Sequence, residues 1–459
     1  MQGLGDTFSF APVPTPRLQK ADGPSTGATL PAYSVVQRPY GRCSPTVPFT
    51  ALSSFLTPFG VGGESSFSNF TKASNSTPLR GVGLYPRFEK LLFSPSFFYK
   101  SLYVHVPFCR KKCPYCDFYS TTREELKSLY QKAINRELSL YGFNSVPFPT
   151  VYFGGGTPSM MPPEFFESIL SRIGQFSEVT VEFNPEDAGK AGELRQIGIN
   201  RASLGLQSLS EKALNFLRRN HTAADGLRSL ETLLNHFSNV SVDLMYGIPG
   251  QSVEDFLKDI ETVTSFPIKH ISIYALTIYE GTPFHRKLLK GEIWLPEEEK
   301  LEKFYYEAVS LLESKGFFQY EISNFAKKGF ECKHNLSYWR VENYLGVGPS
   351  AASLIAGKYW KNVADLKKYI EIVQRGERPT AEEVKLSGKD LLEVKLLMGL
   401  RLTEGIKLGK KLEKLLKKDK ILSLLEEGFL EIEEGRLRLG KKGLFVSNTV
   451  IAEVISAIE

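Results

Sequence analysis

Three of the five cysteines in this 459-residue chain stand in one stretch, "SLYVHVPFCRKKCPYCDFYS", as Cys109, Cys113 and Cys116. Spacings of four and then three put three thiols on one tight loop, and Cys43 and Cys332 are too far along the chain to extend it. A closed structural zinc site takes four protein ligands, commonly from paired C-x-x-C knuckles. A cubane [4Fe–4S] cluster is also held by four thiolates, so three would leave one iron open to another ligand. An odd, bunched cysteine count does not read as a secreted disulfide framework and fits a reducing compartment. Farther on stands "GGGTPS", residues 154–159. Without side chains, such a run lets a ligand approach the backbone and take its N–H groups, although the same run also serves as a turn.

These groups need a scaffold to bring them together. Six short apolar runs alternate with helical patterns: "LYVHV" (102–106), "TVYF" (150–153), "VTVEF" (179–183), "RASLGL" (201–206), "VSVDLMYG" (240–247) and "HISIYAL" (270–276). Strand and helix in alternation predict a parallel sheet with right-handed crossovers, whose chemistry lies at the carboxyl ends of its strands. The cysteine loop follows the first run and the glycine triplet the second. Glu182 ends the third, Gln207 the fourth, and Asp243 lies near the end of the fifth. All are expected on one rim. After about residue 300 the alternation gives way to helices, to the loop "YEISNFAKKGFECKHNLSYW" (320–339), and to a helix with two short strands around Glu434 and Gly435, similar to a winged-helix module.

Composition bounds the partners. With 42% hydrophobic and 24% charged residues and a formal charge of +6, the chain reads as globular, and no apolar run reaches the roughly 18 residues of a membrane span. The basic run "KLGKKLEKLLKKDK" alternates with leucines at helical spacing and reads as a solvated helix face rather than a nucleic-acid site. Residues 1–98 are rich in Ser, Thr, Pro and Gly and poor in acids. They are expected to be a disordered extension, either an organellar targeting segment or the product of a start assigned too far upstream.

The C-x-x-x-C-x-x-C loop with Tyr115 before its last cysteine, followed by "GGGTP", resembles the radical S-adenosylmethionine (SAM) superfamily. "YVHVPFC", "YCDFYS", "VEFNPED", "LGLQS", "VDLMYGIPGQ", "YEISNFA" and "HNLSYW" are similar to the coproporphyrinogen-III-oxidase-like family, and within it to the haem-chaperone branch. The resemblance covers residue 103 to the C-terminus. It implies an α/β fold: a partial (βα)6 TIM-like barrel of the radical SAM type (99–320), a haem loop and connecting region (321–375) and a winged-helix-like C-terminal domain (376–459). It implies a [4Fe–4S] cluster on Cys109, Cys113 and Cys116, and SAM contacts from Tyr103, Gly154, Gly155, Gly156, Glu182, Gln207, Arg219 and Asp243. Only the resemblance selects Arg219 over Arg218.

The superfamily's chemistry is one-electron cleavage of SAM. The family's oxidases, which act in porphyrin biosynthesis, carry a further cysteine two residues after the third, where this chain has Phe118. That departure, and the lack of an oxidase-like N-terminal lead, favour a haem carrier; oxidative decarboxylation of coproporphyrinogen III is the alternative. Haem iron is expected on His334, flanked by Tyr338 and Trp339, and no haem role falls to the other histidines. The implied partners are haem, haem-requiring respiratory proteins and a second copy of the chain, with no nucleic acid and at most peripheral membrane association. The expected compartment is the cytoplasm, or an organelle if residues 1–98 are a transit segment.

Overall fold

A computed structural model of the protein describes residues 99–142, 147–174, 176–416 and 418–458; the expected extension, 1–98, lies outside the described residues. The six sequence-legible strands are β1 (Ser101–Val106), β2 (Thr150–Gly155), β3 (Glu178–Phe183), β4 (Arg201–Gln207), β5 (Val240–Tyr246) and β6 (His270–Ala275). They pair in that order, all parallel. Helices such as Lys127–Leu140, Ala223–His236 and Val253–Thr264 make the crossovers. Capping boxes, Thr222 with Asp225 and Ser252 with Asp255, fix two of their starts.

The alternation along each strand sorts two environments. Val104, Phe153, Val181, Leu204, Val242 and Ile271 join the apolar core shared with the helices. Their neighbours face the other way and are largely polar. In register across the sheet, Ser101 meets Thr150, Thr150 meets Glu178, and Ser241 meets His270. A parallel sheet buried on both faces usually reads as continuous apolar runs. Here the inner face is polar because the curved sheet encloses a polar interior.

Six further strands extend the same sheet on both sides: β7 (Phe318–Gln319) and β8 (Asn324–Ala326) beyond β6, and β9 (Tyr344–Val347), β10 (Ala352–Ile355), β11 (Lys358–Asn362) and β12 (Thr380–Lys385) beyond β1. β8 is antiparallel to β6 and β9 parallel to β1, so the sheet stays open between its ends. The chain must therefore cross from one edge of the partial barrel to the other between residues 327 and 343. It does so through the helix Lys333–Trp339.

The C-terminal part has a second core, built around Leu396, Ile421, Leu437 and Val454. It holds a three-stranded sheet of β13 (Ile406–Lys407), β15 (Arg436–Leu439) and β14 (Leu430–Glu433). Glu434 and Gly435 both have positive φ, as a tight two-residue hairpin turn between β14 and β15 requires.

Candidate functional site

The three cysteine residues line one cavity at the carboxyl ends of the strands, about 870 Å³ including its mouth. Gly155, Gly156, Thr157, Asn184, Gln207 and Arg219 complete its inner wall, and Met245, Tyr274 and Tyr279 its far side. The loop is tied down at both ends: Cys109 N donates to Thr121 O at 2.9 Å, and Thr121 N to Pro107 O at 2.7 Å. Thr157 Oγ1 lies 3.7 Å from Cys109 Sγ and Arg219 Nη1 lies 3.8 Å from Cys113 Sγ. Burial pushes the Cys109 thiol up, and the Thr157 hydroxyl pulls it back. Among the described residues, no three Cys, His, Asp or Glu side chains converge on a single metal ion.

The glycines are required by space. A Cβ on Gly156 would stand 2.6 Å from Phe108 O, against the incoming cysteine loop. Gly155 has φ +112°, and its Cβ would meet the His105 ring at 2.6 Å. That ring is itself fixed by Tyr119 O at 2.9 Å and the Tyr103 hydroxyl at 3.2 Å.

Gln207 carries two independent signs of a ligand site. Its φ is +70°, a left-handed conformation costly for a side-chain-bearing residue, and Ser208 N closes a tight turn onto Leu206 O at 2.9 Å. Its amide is fully buried, and neither the oxygen nor the nitrogen has a hydrogen-bond partner in the protein. A buried unsatisfied amide costs about 1–3 kcal/mol unless a ligand supplies the missing bonds.

Arg219 is aimed by a helix end. Past the helix Glu211–Phe216, Arg218 takes φ +54°, Arg218 N donates to Asn215 O and Arg219 N to Leu214 O, the paired bonds of a Schellman cap. Arg218 is thereby left exposed, while Arg219 turns into the cavity and donates to Asn184 Oδ1 at 2.7 Å and Gly205 O at 2.9 Å.

The other expected SAM contacts lie beside or beneath this wall. Glu182 accepts from Gly155 N at 3.2 Å and from the Tyr152 hydroxyl at 3.0 Å. Asp243 accepts from Ser203 Oγ at 3.4 Å. Tyr103 is fully buried, and a Cβ on Gly154 would meet the Tyr152 and Tyr103 rings at 2.9 and 3.1 Å. Asn184 and Thr157 escaped the sequence reading, although they are the first residue beyond β3 and the second beyond β2, where this fold carries its chemistry.

His334 is not in the cavity. Its Nδ1 lies 2.9 Å from Thr150 Oγ1 and its Nε2 2.6 Å from the Tyr338 hydroxyl. The ring is fully buried and stacks on Tyr152 at 5.1 Å. Thr150 opens β2 and Gly155 closes it, so about 16 Å of strand separates His334's partner from the cavity wall. As folded, the expected haem ligand offers iron no nitrogen. Its helix instead plugs the amino-terminal floor of the barrel. Glu178 accepts from the backbone N–H groups of Lys333 and His334, Ser337 bonds Ser101, and Tyr320 bonds His270. Cys332 is likewise a buried thiol, against Glu178 and Asn335.

A six-strand partial barrel with three cysteines and a glycine strand end on its upper rim defines a radical SAM protein. The Radical SAM superfamily model matches residues 103–263, and the HemN C-terminal domain model matches residues 386–446. "Heme chaperone HemW" of Bacillus subtilis is 32% identical over 382 residues, spanning 78% of this chain and all of the relative. "Radical S-adenosyl methionine domain-containing protein 1, mitochondrial" of Danio rerio is 32% identical over 390 residues, spanning 78% of this chain and 87% of the relative. The solved structure of coproporphyrinogen III oxidase (HemN) from Escherichia coli superposes with a TM-score of 0.67 at 21% identity, over 81% of this chain and 92% of that one, a likeness of fold. The chain belongs to the HemW family of the radical SAM superfamily. Superfamily membership implies a [4Fe–4S] cluster and SAM. The three thiols and the unsatisfied Gln207 amide fit that pair of ligands.

Proposed function

We propose that this protein binds haem and hands it to haem-requiring proteins, with a [4Fe–4S] cluster and SAM held in the upper cavity. The observation that carries this reading over an oxidase is Phe118. It lines the cavity at the position where the family's oxidases have a further cysteine. Curated relatives that this chain covers over 100% and 97% of their length are named heme chaperones. Cys109, Cys113 and Cys116 would hold the cluster through three irons and leave the fourth to SAM, a pair that supplies one-electron cleavage chemistry when bound. Gln207 and Arg219 would orient SAM's polar groups, and Gly155 and Gly156 would let it approach the backbone. Tyr103, Gly154, Glu182 and Asp243 would act from the layer beneath, by fixing those residues.

Among the described residues no helix is long and apolar enough to cross a membrane. The acceptors we propose are haem-requiring respiratory proteins. The compartment, cytoplasm or organelle, turns on residues 1–98. Anaerobic reconstitution followed by haem titration tests the proposal, with a parallel incubation of coproporphyrinogen III, SAM and reductant. Saturable haem binding at one site without conversion of the porphyrinogen supports a carrier. Conversion would make the protein an oxidase and Phe118 a tolerated replacement.

A further inference from the structure

A haem carrier needs three things in one place: an imidazole free to reach iron, apolar surface for the macrocycle, and cations for two propionates. The chain has six histidines. Three have both ring nitrogens engaged within the protein, His105, His270 and His334. His221 donates Nε2 to Leu206 O, and its unpartnered Nδ1 is buried, out of reach of a surface-docked macrocycle. His236 ends the helix Ala223–His236 just before β5, at the end of the barrel opposite the cysteine loop, and its ring lies against Gly192. His285 remains. Among the described residues no hydrogen bond, ion pair or ring contact engages its imidazole, which is half-buried.

His285 sits on an element that abuts the cysteine loop. Its helix, Pro283–Leu289, is docked on the cysteine loop by its neighbour Phe284. Phe284 N donates to Pro114 O at 3.0 Å, and its ring packs on Phe216 at 4.9 Å and Tyr115 at 6.4 Å. Leu289 lies at i+4 from His285, hence on the same helix face. At 74% exposure it is the most exposed large hydrophobic side chain among the described residues, and Trp294 at 73% is the next. Trp294 is held outward: Ile293 before it is buried, and Leu295 after it packs on the apolar cluster of Met245 and Ile248. The same segment carries Arg286, Lys287 and Lys290. None forms an ion pair among the described residues, despite the nearby Glu280 and Glu292; Arg286 Nη1 donates to Gly281 O at 3.1 Å.

We infer that His285 is the axial ligand of a haem docked on this segment, with Leu289 and Trp294 against the macrocycle and Arg286, Lys287 or Lys290 at its propionates. Free imidazole, exposed apolar surface and unpaired cations together fit no internal structural need. The inference rests on the haem-carrier reading and gives it a site that His334, as folded, does not offer. It places the iron at the outer rim, beside the cluster loop, and not inside the barrel.

The test is an anaerobic haem titration of the full, cluster-reconstituted chain, followed by absorbance and by the magnetic resonance signature of an imidazole-ligated iron. His285→Ala should lose that signature and weaken binding by about tenfold or more, and added free imidazole should restore the signature. Trp294→Ala should weaken binding with the signature kept. Iron and sulfide content and circular dichroism, unchanged in both, exclude misfolding as the cause. His334→Gln should keep the signature. Wild-type protein that binds haem while His285→Ala binds it equally, with the same signature, overturns this site alone. Wild-type protein that binds no haem overturns the carrier reading and the site with it.

Discussion

His334 Nδ1 lies 2.9 Å from the hydroxyl of Thr150, the first residue of the strand whose last residue, Gly155, lines the cysteine cavity. One strand thus links two ends with different work. Its carboxyl end opens onto the cavity, and its amino end is sealed by the helix Lys333–Trp339, consistent with the usual division of a βα barrel between chemistry and stability.

The floor should therefore carry stability. His334→Ala removes a stacked ring and leaves the Thr150 and Tyr338 hydroxyls without it, at a cost of about 3 kcal/mol. Denaturant unfolding followed by circular dichroism measures the loss. The double mutant with Thr150→Val should lose less than the sum of the two single losses. A single-mutant effect within about 0.5 kcal/mol of zero would contradict the plug.

Acid stability follows from the same floor. Burial holds His270 and His334 well below the ordinary imidazole value of 6.5, and brings His105 down to about 4. Below pH 6.5 the unfolded chain takes up protons that the folded chain refuses, so stability falls as the pH drops through that region. Burial acts oppositely on Glu137, pushed up to about 7 from 4.5. Between those values the folded chain holds the proton, and stability is lost as the pH rises through 7. His334→Gln should flatten the acid-side loss and Glu137→Gln the loss toward pH 7, as read from unfolding midpoints between pH 4.5 and 8. Unaltered profiles in both variants would refute these assignments.

Gln207 sets ligand binding against stability. Glycine tolerates φ +70° and removes a buried amide with no partner, so Gln207→Gly should leave the fold as stable or up to about 1 kcal/mol more so. SAM affinity, measured calorimetrically on reconstituted protein, should fall by about tenfold. Unchanged affinity would remove Gln207 from the site.

Cluster content discriminates among the cysteines. Cys113→Ser should lose most of the bound iron and sulfide. Cys332→Ala, at the floor, should retain both and lose about 1 kcal/mol of stability with its contacts to Glu178 and Asn335. Equal iron in wild type and Cys113→Ser would contradict the cluster assignment.

The upper rim was legible because strand periodicity and strand-end position are local signals. Six apolar runs located β1 to β6, and the residues just past their ends included the cysteines, the glycines and Gln207. The choice of Arg219 over Arg218 depends on a left-handed Arg218, which two adjacent arginines cannot encode in their types. β7 to β12 were harder to read. β7 to β10 have only two to four residues each, and the two strands that join this set to the barrel find their partners more than 50 residues away, β8 on β6 and β9 on β1. His334 meets a related limit: a histidine beside Tyr338 and Trp339 has the same local pattern in a haem site and in a plug. Only its long-range partner Thr150 separates them.

The most direct test of the carrier account is transfer. Haem-loaded protein, with its cluster and SAM, is mixed with an apo haem protein, and the acceptor's spectrum is followed. The account predicts stoichiometric movement of haem to the acceptor, with no porphyrinogen converted in a parallel incubation. Haem that stays bound, or a coproporphyrinogen III substrate that is consumed, would contradict it.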